Sequence, residues 1–127
     1  MGKKILIVED EPDQSAFLDS LLSDNGYETI IAGDGKEGFA KAKSEKPDLI
    51  TLDITMPEES GVRMFRDLQG DPDTSGIPVV IVTGLSSDFR RFLAQLERKK
   101  RIYPPAGYFE KPIEKDDLLA KIKELTS

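Results

Sequence analysis

The chain has 127 residues, of which 38% are hydrophobic and 33% are charged. This is the size and composition of one globular domain rather than of a disordered chain. Cysteine and histidine are both absent from the sequence, which excludes disulfides, thiolate or imidazole metal sites and histidine general bases. The formal net charge is −6, so we expect no direct contact with nucleic acid or with an anionic membrane surface.

Short apolar runs recur along the chain. In chain order they are Ile5–Val8, Thr29–Ala32, Leu49–Leu52, Val79–Val82 and the weaker Gly107–Phe109. Runs of this length without alternation are typical of strands that are buried on both faces, as in parallel sheets. The first run is also too short for a signal peptide or a membrane span, which favours a cytoplasmic protein.

Each predicted strand is followed by a stretch with helical spacing of apolar residues. These stretches are 17–22, 39–42, 62–68, 89–96 and 118–125. Asn25-Gly26 predicts a left-handed stop for the first helix, and the spacing of Asp34 and Glu37 is that of a capping box at the start of the second. The second helix must end before Pro47, because the residue before a proline disfavours the helical conformation.

This order repeats a strand and a helix five times. Strands that alternate with single helices predict a parallel sheet with helices on both of its faces, joined by right-handed crossovers. We therefore expect an α/β fold with three layers. We expect 1–127 to form a single domain with no output domain, since the chain ends close to the end of the last predicted helix.

Polar residues follow four of the predicted strands at their carboxyl ends, where open α/β sheets bind ligands. Glu9 and Asp10 follow the first strand, Asp53 the third and Thr83 the fourth, while Lys111 comes shortly after the fifth. Three carboxylates at one edge repel one another and lose hydration. A hard divalent cation such as Mg²⁺ removes this conflict, because carboxylate oxygens are its preferred ligands.

With such an ion in place, a carboxylate can act as a nucleophile toward phosphorus. The hydroxyl of Thr83 and the ammonium of Lys111 can then hold the phosphoryl oxygens. A carboxylate nucleophile needs no general base, which fits a chain without histidine.

At these residues the sequence resembles the receiver domain of two-component response regulators, of the chemotaxis type. The resemblance runs through the chain in order, over Ile5–Asp10, Leu52–Pro57, Ile81–Gly84 and Phe109–Pro112. It implies a flavodoxin-like (βα)5 fold whose five-stranded parallel sheet has the order 2-1-3-4-5.

The resemblance also implies roles for the acidic residues. Asp53 would be the phosphoacceptor and would form an aspartyl phosphate. Asp10 and Asp53 would bind Mg²⁺ directly, Glu9 would assist through water, and the backbone carbonyl of Thr55 would be another ligand.

Further roles follow for the residues that respond to phosphorylation. Thr83 would bond to the phosphoryl group and Lys111 would pair with it, with a cis peptide bond to Pro112. Tyr108 occupies the position of an aromatic switch whose ring turns inward when Thr83 moves.

The function implied by the resemblance is that of a phosphoacceptor switch in a two-component phosphorelay. The donor would be a sensor histidine kinase or a histidine phosphotransfer protein, and the target would be another protein. Phosphorylation could also produce a homodimer. Such a domain catalyses its own phosphorylation and slow dephosphorylation, and we do not expect it to be an enzyme with turnover.

Three alternatives remain beside this interpretation. Gly33–Gly38 fits the G-x-G-x-x-G pattern of dinucleotide-binding proteins, but the acids Asp34 and Glu37 stand where a pyrophosphate would dock. A magnesium-dependent phosphatase of the haloacid dehalogenase type resembles the chain at Asp53, yet Thr55 stands where that family needs a second Asp. A pseudo-receiver that binds partners without phosphorylation is the third.

The segment between Thr83 and Lys111 is longer than in most receiver domains. It contains the basic cluster Arg98–Arg101, followed by Pro104-Pro105. We expect an extended fourth helix whose C-terminal cations match the helix dipole, and we keep a partner-docking surface as the alternative.

Overall fold

The computed structural model describes residues 2–56, 60–84, 90–91, 94 and 104–127. In this part of the chain the strands are β1 (Lys4–Val8), β2 (Glu28–Ala32), β3 (Leu49–Asp53), β4 (Val79–Thr83) and β5 (Gly107–Glu110). The helices are α1 (Pro12–Asp24), α2 (Gly35–Glu45), α3 (Ser60–Gly70) and α4 (Lys115–Thr126).

The strands form one sheet in the order β2-β1-β3-β4-β5, and each pair is parallel. This confirms the predicted fold class and strand order. The strand β3 lies at the centre, between β1 and β4, and all five of its residues are buried. The carboxyl ends of the strands therefore meet at one edge, with Asp53 in the middle.

Helices cover both faces of the sheet. On one face α2 and α3 pack against Leu6, Leu52 and Ile81. On the other face α1 and α4 contribute Leu18 and Ile122 to a second apolar cluster around the remaining strand residues. Because strand side chains alternate between faces, continuous apolar runs supply both clusters at once.

Of two predicted helix boundaries, one has the expected local chemistry and the other has it in part. Gly26 follows α1 with φ at +90°, a conformation that glycine adopts without strain. At the start of α2 the Asp34 side chain accepts a hydrogen bond from the Glu37 backbone N–H at 2.7 Å. The Glu37 carboxylate does not complete the capping box at Asp34, however, and instead accepts from the backbone N–H of Gly33 at 3.1 Å.

Two further predictions fall on residues outside the described ranges. These are the apolar stripe of the predicted fourth helix and the basic cluster Arg98–Arg101. Among the helices that the structure does describe, none has the length and hydrophobicity to cross a lipid bilayer.

Candidate functional site

Three carboxylates lie together at the carboxyl edge of the sheet. Glu9 and Asp10 follow β1, and Asp53 is the last residue of β3. One oxygen of each lies within 4.8 Å of the others. Glu9 and Asp53 are each only 3% exposed, whereas Asp10 is exposed. Close, largely desolvated acids of this kind are the donor set that a hard divalent cation uses.

Lys111 brings a positive charge to this cluster from the segment after β5. Its Nζ lies 3.0 Å from Glu9 Oε1 and 3.4 Å from Asp53 Oδ2. Its backbone N–H donates to the carbonyl oxygen of Thr83 at 2.7 Å, which fixes the start of the Lys111 side chain beside β4. The Lys111–Pro112 peptide is cis, as the resemblance implied. One ammonium faces three carboxylates, so an excess of negative charge remains.

Thr55 holds the other oxygen of the Asp53 carboxylate. The backbone N–H of Thr55 donates to Asp53 Oδ1 at 2.8 Å, and the Thr55 hydroxyl donates to the same oxygen at 2.6 Å. The two oxygens of Asp53 therefore face different partners, Thr55 on one side and Lys111 on the other. This geometry fixes the orientation of the carboxylate within the cluster.

The shared environment separates the pKa values of the two buried acids. The pKa of Glu9 is raised to about 7, mainly by burial and also by the hydrogen bond and the charge of Asp53, while the hydrogen bond to Lys111 acts to lower it. Burial also acts to raise the pKa of Asp53, but its hydrogen bonds to Glu9 and Thr55 and the charge of Lys111 outweigh burial, so the net pKa is lowered. Near neutral pH, Asp53 is therefore an ionised carboxylate, while Glu9 is protonated in part of the molecules.

The same groups hold Lys111 as a cation. Burial acts to lower the pKa of Lys111, but its hydrogen bond to Glu9 and the charges of Asp53 and Glu9 raise the pKa above its ordinary value. The ammonium thus stays charged throughout the physiological range.

Thr83 lies on β4, the strand next to that of Asp53, and Tyr108 lies on β5, one strand further out. Thr83 is fully buried at the end of β4, one residue beyond Val82, the register partner of Asp53. Tyr108 pairs in register with Ile81, is half-buried against the apolar cluster beneath α2 and α3, and has a shielded hydroxyl oxygen. Burial, assisted by the charge of Glu110, raises the pKa of Tyr108.

The glycine-rich turn before α2 borders a cleft of about 610 Å³, which is lined in part by Lys36, Phe39 and Asp10, one of the three clustered acids. A cleft of this volume is large enough for a small ligand. In a dinucleotide-binding turn, however, the free backbone N–H groups at the helix start hold the pyrophosphate. Here the Asp34 carboxylate accepts from one such group, the Glu37 N–H, and the Glu37 carboxylate accepts from the preceding Gly33 N–H. Both carboxylates are unfavourable for that alternative.

The placement of the predicted residues is thus clear. The structure brings Glu9, Asp10, Asp53 and Lys111 together, as we expected, and places Thr83 on the adjacent strand. From the sequence we expected Thr55 to act through its carbonyl oxygen, and we did not predict that its hydroxyl and N–H donate to the Asp53 side chain. The signal was available, because an Asp side chain commonly accepts a hydrogen bond from the backbone N–H two residues further on.

Comparison with known proteins agrees with this geometry. A family model for the response regulator receiver domain matches residues 5–123. Protein PilH of Pseudomonas aeruginosa is 34% identical over 119 residues, which cover 94% of this chain and 93% of PilH. The alkaline phosphatase synthesis transcriptional regulatory protein PhoP of Bacillus subtilis is 33% identical, but the match covers 98% of this chain and 49% of PhoP. The chain thus spans nearly all of one relative and about half of another.

Solved structures show the same likeness. The receiver domain of a signal transduction histidine kinase from Syntrophus aciditrophicus has a TM-score of 0.84 and 34% identity, over 98% of this chain and 90% of that one. The receiver domain of the sensor histidine kinase PA1611 from Pseudomonas aeruginosa, described with a magnesium ion coordinated in its active site cleft, has a TM-score of 0.85 over 99% and 98% of the chains. At 22% identity, that second likeness concerns the fold alone.

The family model covers most of the chain, and PilH shares more than a third of the aligned residues along nearly its whole length. The chain therefore belongs to the family of response regulator receiver domains, which take part in two-component signalling.

Proposed function

We propose that the chain is a phosphorylated signalling switch. It accepts a phosphoryl group on Asp53 in a Mg²⁺-dependent reaction, with a phosphohistidine on a sensor kinase or phosphotransfer protein as the donor. The phosphorylated form then acts on a downstream protein, and we place this exchange in the cytoplasm. The domain promotes its own phosphorylation and slow dephosphorylation rather than turning over an external substrate.

One observation carries the proposal. Asp53 is a carboxylate that is only 3% exposed, yet it lies at the open edge of the sheet with one oxygen within 4.8 Å of Glu9 and Asp10. Thr55 and Lys111 hold its two oxygens on opposite sides. A buried acid in the sheet interior would weaken the fold, whereas an oriented acid at this edge is suited to attack a phosphorus atom.

The residues present fit a magnesium ion. Glu9, Asp10 and Asp53 offer carboxylate oxygens from two neighbouring strands, and Asp10 is open to solvent. The exposed Thr55 adds a backbone carbonyl, the fourth group expected from the resemblance. The ion described in the PA1611 receiver domain is compatible with this assignment. When bound, Mg²⁺ neutralises negative charge on the incoming phosphoryl oxygens.

The transfer step balances without a general base. A lone pair of an Asp53 carboxylate oxygen forms the O–P bond while the N–P bond of the phosphohistidine breaks. The imidazole nitrogen leaves with that electron pair and takes a proton from solvent. Lys111, whose Nζ lies 3.4 Å from Asp53 Oδ2, is placed to hold a phosphoryl oxygen after the transfer.

The response would pass from the acceptor to β4 and then to β5. In this proposal the hydroxyl of Thr83 bonds to the new phosphoryl group, and the Tyr108 ring follows as the space beside Thr83 changes. Thr83 is fully buried and Lys111 is tied to its carbonyl oxygen, so a movement at either residue is transmitted to the other. This is a two-state element that a local charge change biases.

The test is phosphoryl uptake measured by intact mass. The wild-type protein, incubated with Mg²⁺ and acetyl phosphate, is expected to gain one phosphoryl group, and chelation of Mg²⁺ is expected to prevent it. Asp53→Asn keeps the size of the side chain and one accepting oxygen but removes the nucleophilic carboxylate, so this variant is expected to gain none. Asp71→Asn, at an acid that directly follows the C-terminal end of α3 and pairs with Lys43, is the matched control and is expected to behave like the wild type.

Two results would contradict the proposal. Persistent labelling of Asp53→Asn would show that another group is the acceptor. A folded wild-type protein that binds Mg²⁺ but takes no phosphoryl group from acetyl phosphate or from a phosphorylated kinase would instead indicate a pseudo-receiver.

A further inference from the structure

The start of α3 lies unusually close to the backbone of the acceptor residue. Gly61 is buried and is the second residue of that helix. A Cβ atom built at this position would lie 2.7 Å from the Asp53 carbonyl oxygen and 2.8 Å from the Ile54 Cα. Real Cβ atoms essentially never approach other heavy atoms this closely. Both contacted atoms are backbone atoms, so no side-chain rotation can relieve the contact.

The same backbone segment is held on its other side by the sheet. The Ile54 N–H donates to the Val82 carbonyl oxygen at 3.3 Å, and Asp53 pairs in register with Val82. The peptide that joins Asp53 to Ile54 therefore lies between β4 and the first turn of α3. Any side chain at position 61 must displace either the helix or this peptide.

A displaced peptide would carry the acceptor with it. The Asp53 carboxylate is oriented by Thr55, whose N–H and hydroxyl are 2.8 and 2.6 Å from Oδ1. Asp53 and Thr55 flank Ile54, so a shift at Ile54 changes the position of the carboxylate and that of its hydrogen-bond donors together. Glu9 and Lys111 directly follow other strands, β1 and β5, and would not follow this shift.

We propose that Gly61 is a positioning residue for the phosphoacceptor: its missing side chain lets α3 lie directly against the Asp53–Ile54 peptide and hold the carboxylate in register with Lys111. The inference rests on the proposed function, since it concerns the rate of phosphoryl transfer to Asp53. Glycine is disfavoured inside helices relative to alanine, and this steric requirement explains its presence in α3.

Two other glycines provide matched controls. Gly70 ends the same helix, and a Cβ there would meet nothing within 4 Å. Gly38 on α2 is as crowded as Gly61, because a Cβ there would lie 2.8 Å from Met64 Sδ and 2.9 Å from Val8 Cγ2. A side chain at Gly38 thus presses on α3 and the core from elsewhere without contacting the acceptor.

The experiment compares Gly61→Ala with Gly70→Ala and Gly38→Ala. For each variant the folded fraction is measured by thermal unfolding, and the maximal rate of phosphorylation by acetyl phosphate at saturating Mg²⁺ is expressed per folded molecule. Because a misplacement of a reacting group by about 1 Å can lower a rate by about a hundredfold, we expect Gly61→Ala to be slower by about tenfold or more. Both controls are expected to retain the wild-type rate per folded molecule, whatever their stability.

An equal rate per folded molecule for Gly61→Ala and the wild type would overturn the inference and leave the proposed function intact. Failure of the wild-type protein itself to accept a phosphoryl group would overturn the proposed function instead. If Gly61→Ala does not fold at low temperature while Gly38→Ala does, Gly61 serves folding rather than acceptor positioning, and the inference is wrong.

Discussion

Two buried polar residues on β3 lie two positions apart and differ sharply in their surroundings. Thr51 is 1% exposed, and among the described residues none forms a hydrogen bond with its hydroxyl oxygen. Asp53 is 3% exposed, and its carboxylate contacts Thr55 and Lys111. Both positions cost the fold free energy. At Asp53 the surrounding groups compensate for burial and keep the charge oriented, whereas at Thr51 nothing in the described surroundings does so.

The carboxyl edge of the sheet and its interior thus provide different surroundings for a buried polar group. At the edge, polar side chains that follow strands far apart in the sequence lie close to one another. Their negative charge is unbalanced without a cation. The hydroxyl of Thr51 lies among apolar side chains, with Ile7 and Val80 as its register partners. Substitutions at the edge should therefore change stability in a way that depends on pH and on metal, while a substitution in the interior should not.

The largest expected effect is the pH dependence caused by Glu9. Because its pKa in the folded protein is about 7, against 4.5 for an ordinary glutamate, the folded protein holds this proton more tightly than the unfolded chain does. The stabilisation is fully present below pH 4.5 and is lost as the pH rises through 7. A difference of this size corresponds to about 3 kcal/mol of unfolding free energy.

This prediction is measured by urea unfolding in the presence of a chelator, with Glu9→Gln as the comparison. The lowered pKa of Asp53 and the raised pKa of Lys111 act below and above this window, so neither contributes to the slope within it. The difference in unfolding free energy between the wild type and Glu9→Gln is expected to change steadily across the window. A constant difference would show that Glu9 titrates normally.

The next largest effect is expected from Lys111→Met. This change keeps the length of the side chain but leaves Glu9 and Asp53 without their ammonium partner. Breaking a buried ion pair costs several kcal/mol, and because the Lys111 side chain is 24% exposed we expect a loss of about 2 kcal/mol near pH 8. Because Mg²⁺ replaces the missing positive charge in our proposal, added Mg²⁺ should restore stability to this variant more than to the wild type.

Lys43→Met is the control for this substitution. The ion pair of Lys43 with Asp71 is shorter, at 2.8 Å, but the Lys43 side chain is 44% exposed. Exposed pairs contribute little, so a clearly smaller loss is expected. If the two variants lost equal stability, burial of the edge cluster would not determine its energetics.

The strands of the sheet could be predicted well because the pattern that identifies each strand is local in the sequence. Ile5–Val8 and Val79–Val82 are continuous apolar runs, and such runs are compatible with few positions other than the centre of a parallel sheet. The carboxyl edge was predictable for the same reason, since parallel strands place their following residues together. Asp53 and Lys111 could thus be assigned to one site although they are 58 positions apart.

The remaining features of the site depend on distances in the folded structure, which a local sequence pattern does not determine. The exposure of Asp10 beside the burial of Glu9 follows from how the loop after β1 leaves the sheet. The contact of Gly61 with the Asp53–Ile54 peptide follows from the angle at which α3 approaches β3. The sequence offered one indirect signal, a glycine inside a helical pattern, which often has a packing reason.

The smallest expected effect on stability is that of a substitution at Thr51, in the interior of β3. Thr51→Val replaces a buried hydroxyl that has no described partner with a methyl group of similar size, so the desolvation cost disappears and we expect a gain of about 1 kcal/mol in unfolding free energy. The matched substitution Thr74→Val should have the opposite sign, because the Thr74 hydroxyl is also buried but donates to the Leu68 carbonyl oxygen at 2.8 Å. Both are measured by urea unfolding, and the gain at Thr51 should not depend on pH or on Mg²⁺. Destabilisation by Thr51→Val would mean that this hydroxyl has a partner such as a buried water molecule, and the contrast between the interior and the edge of the sheet would then be one of degree.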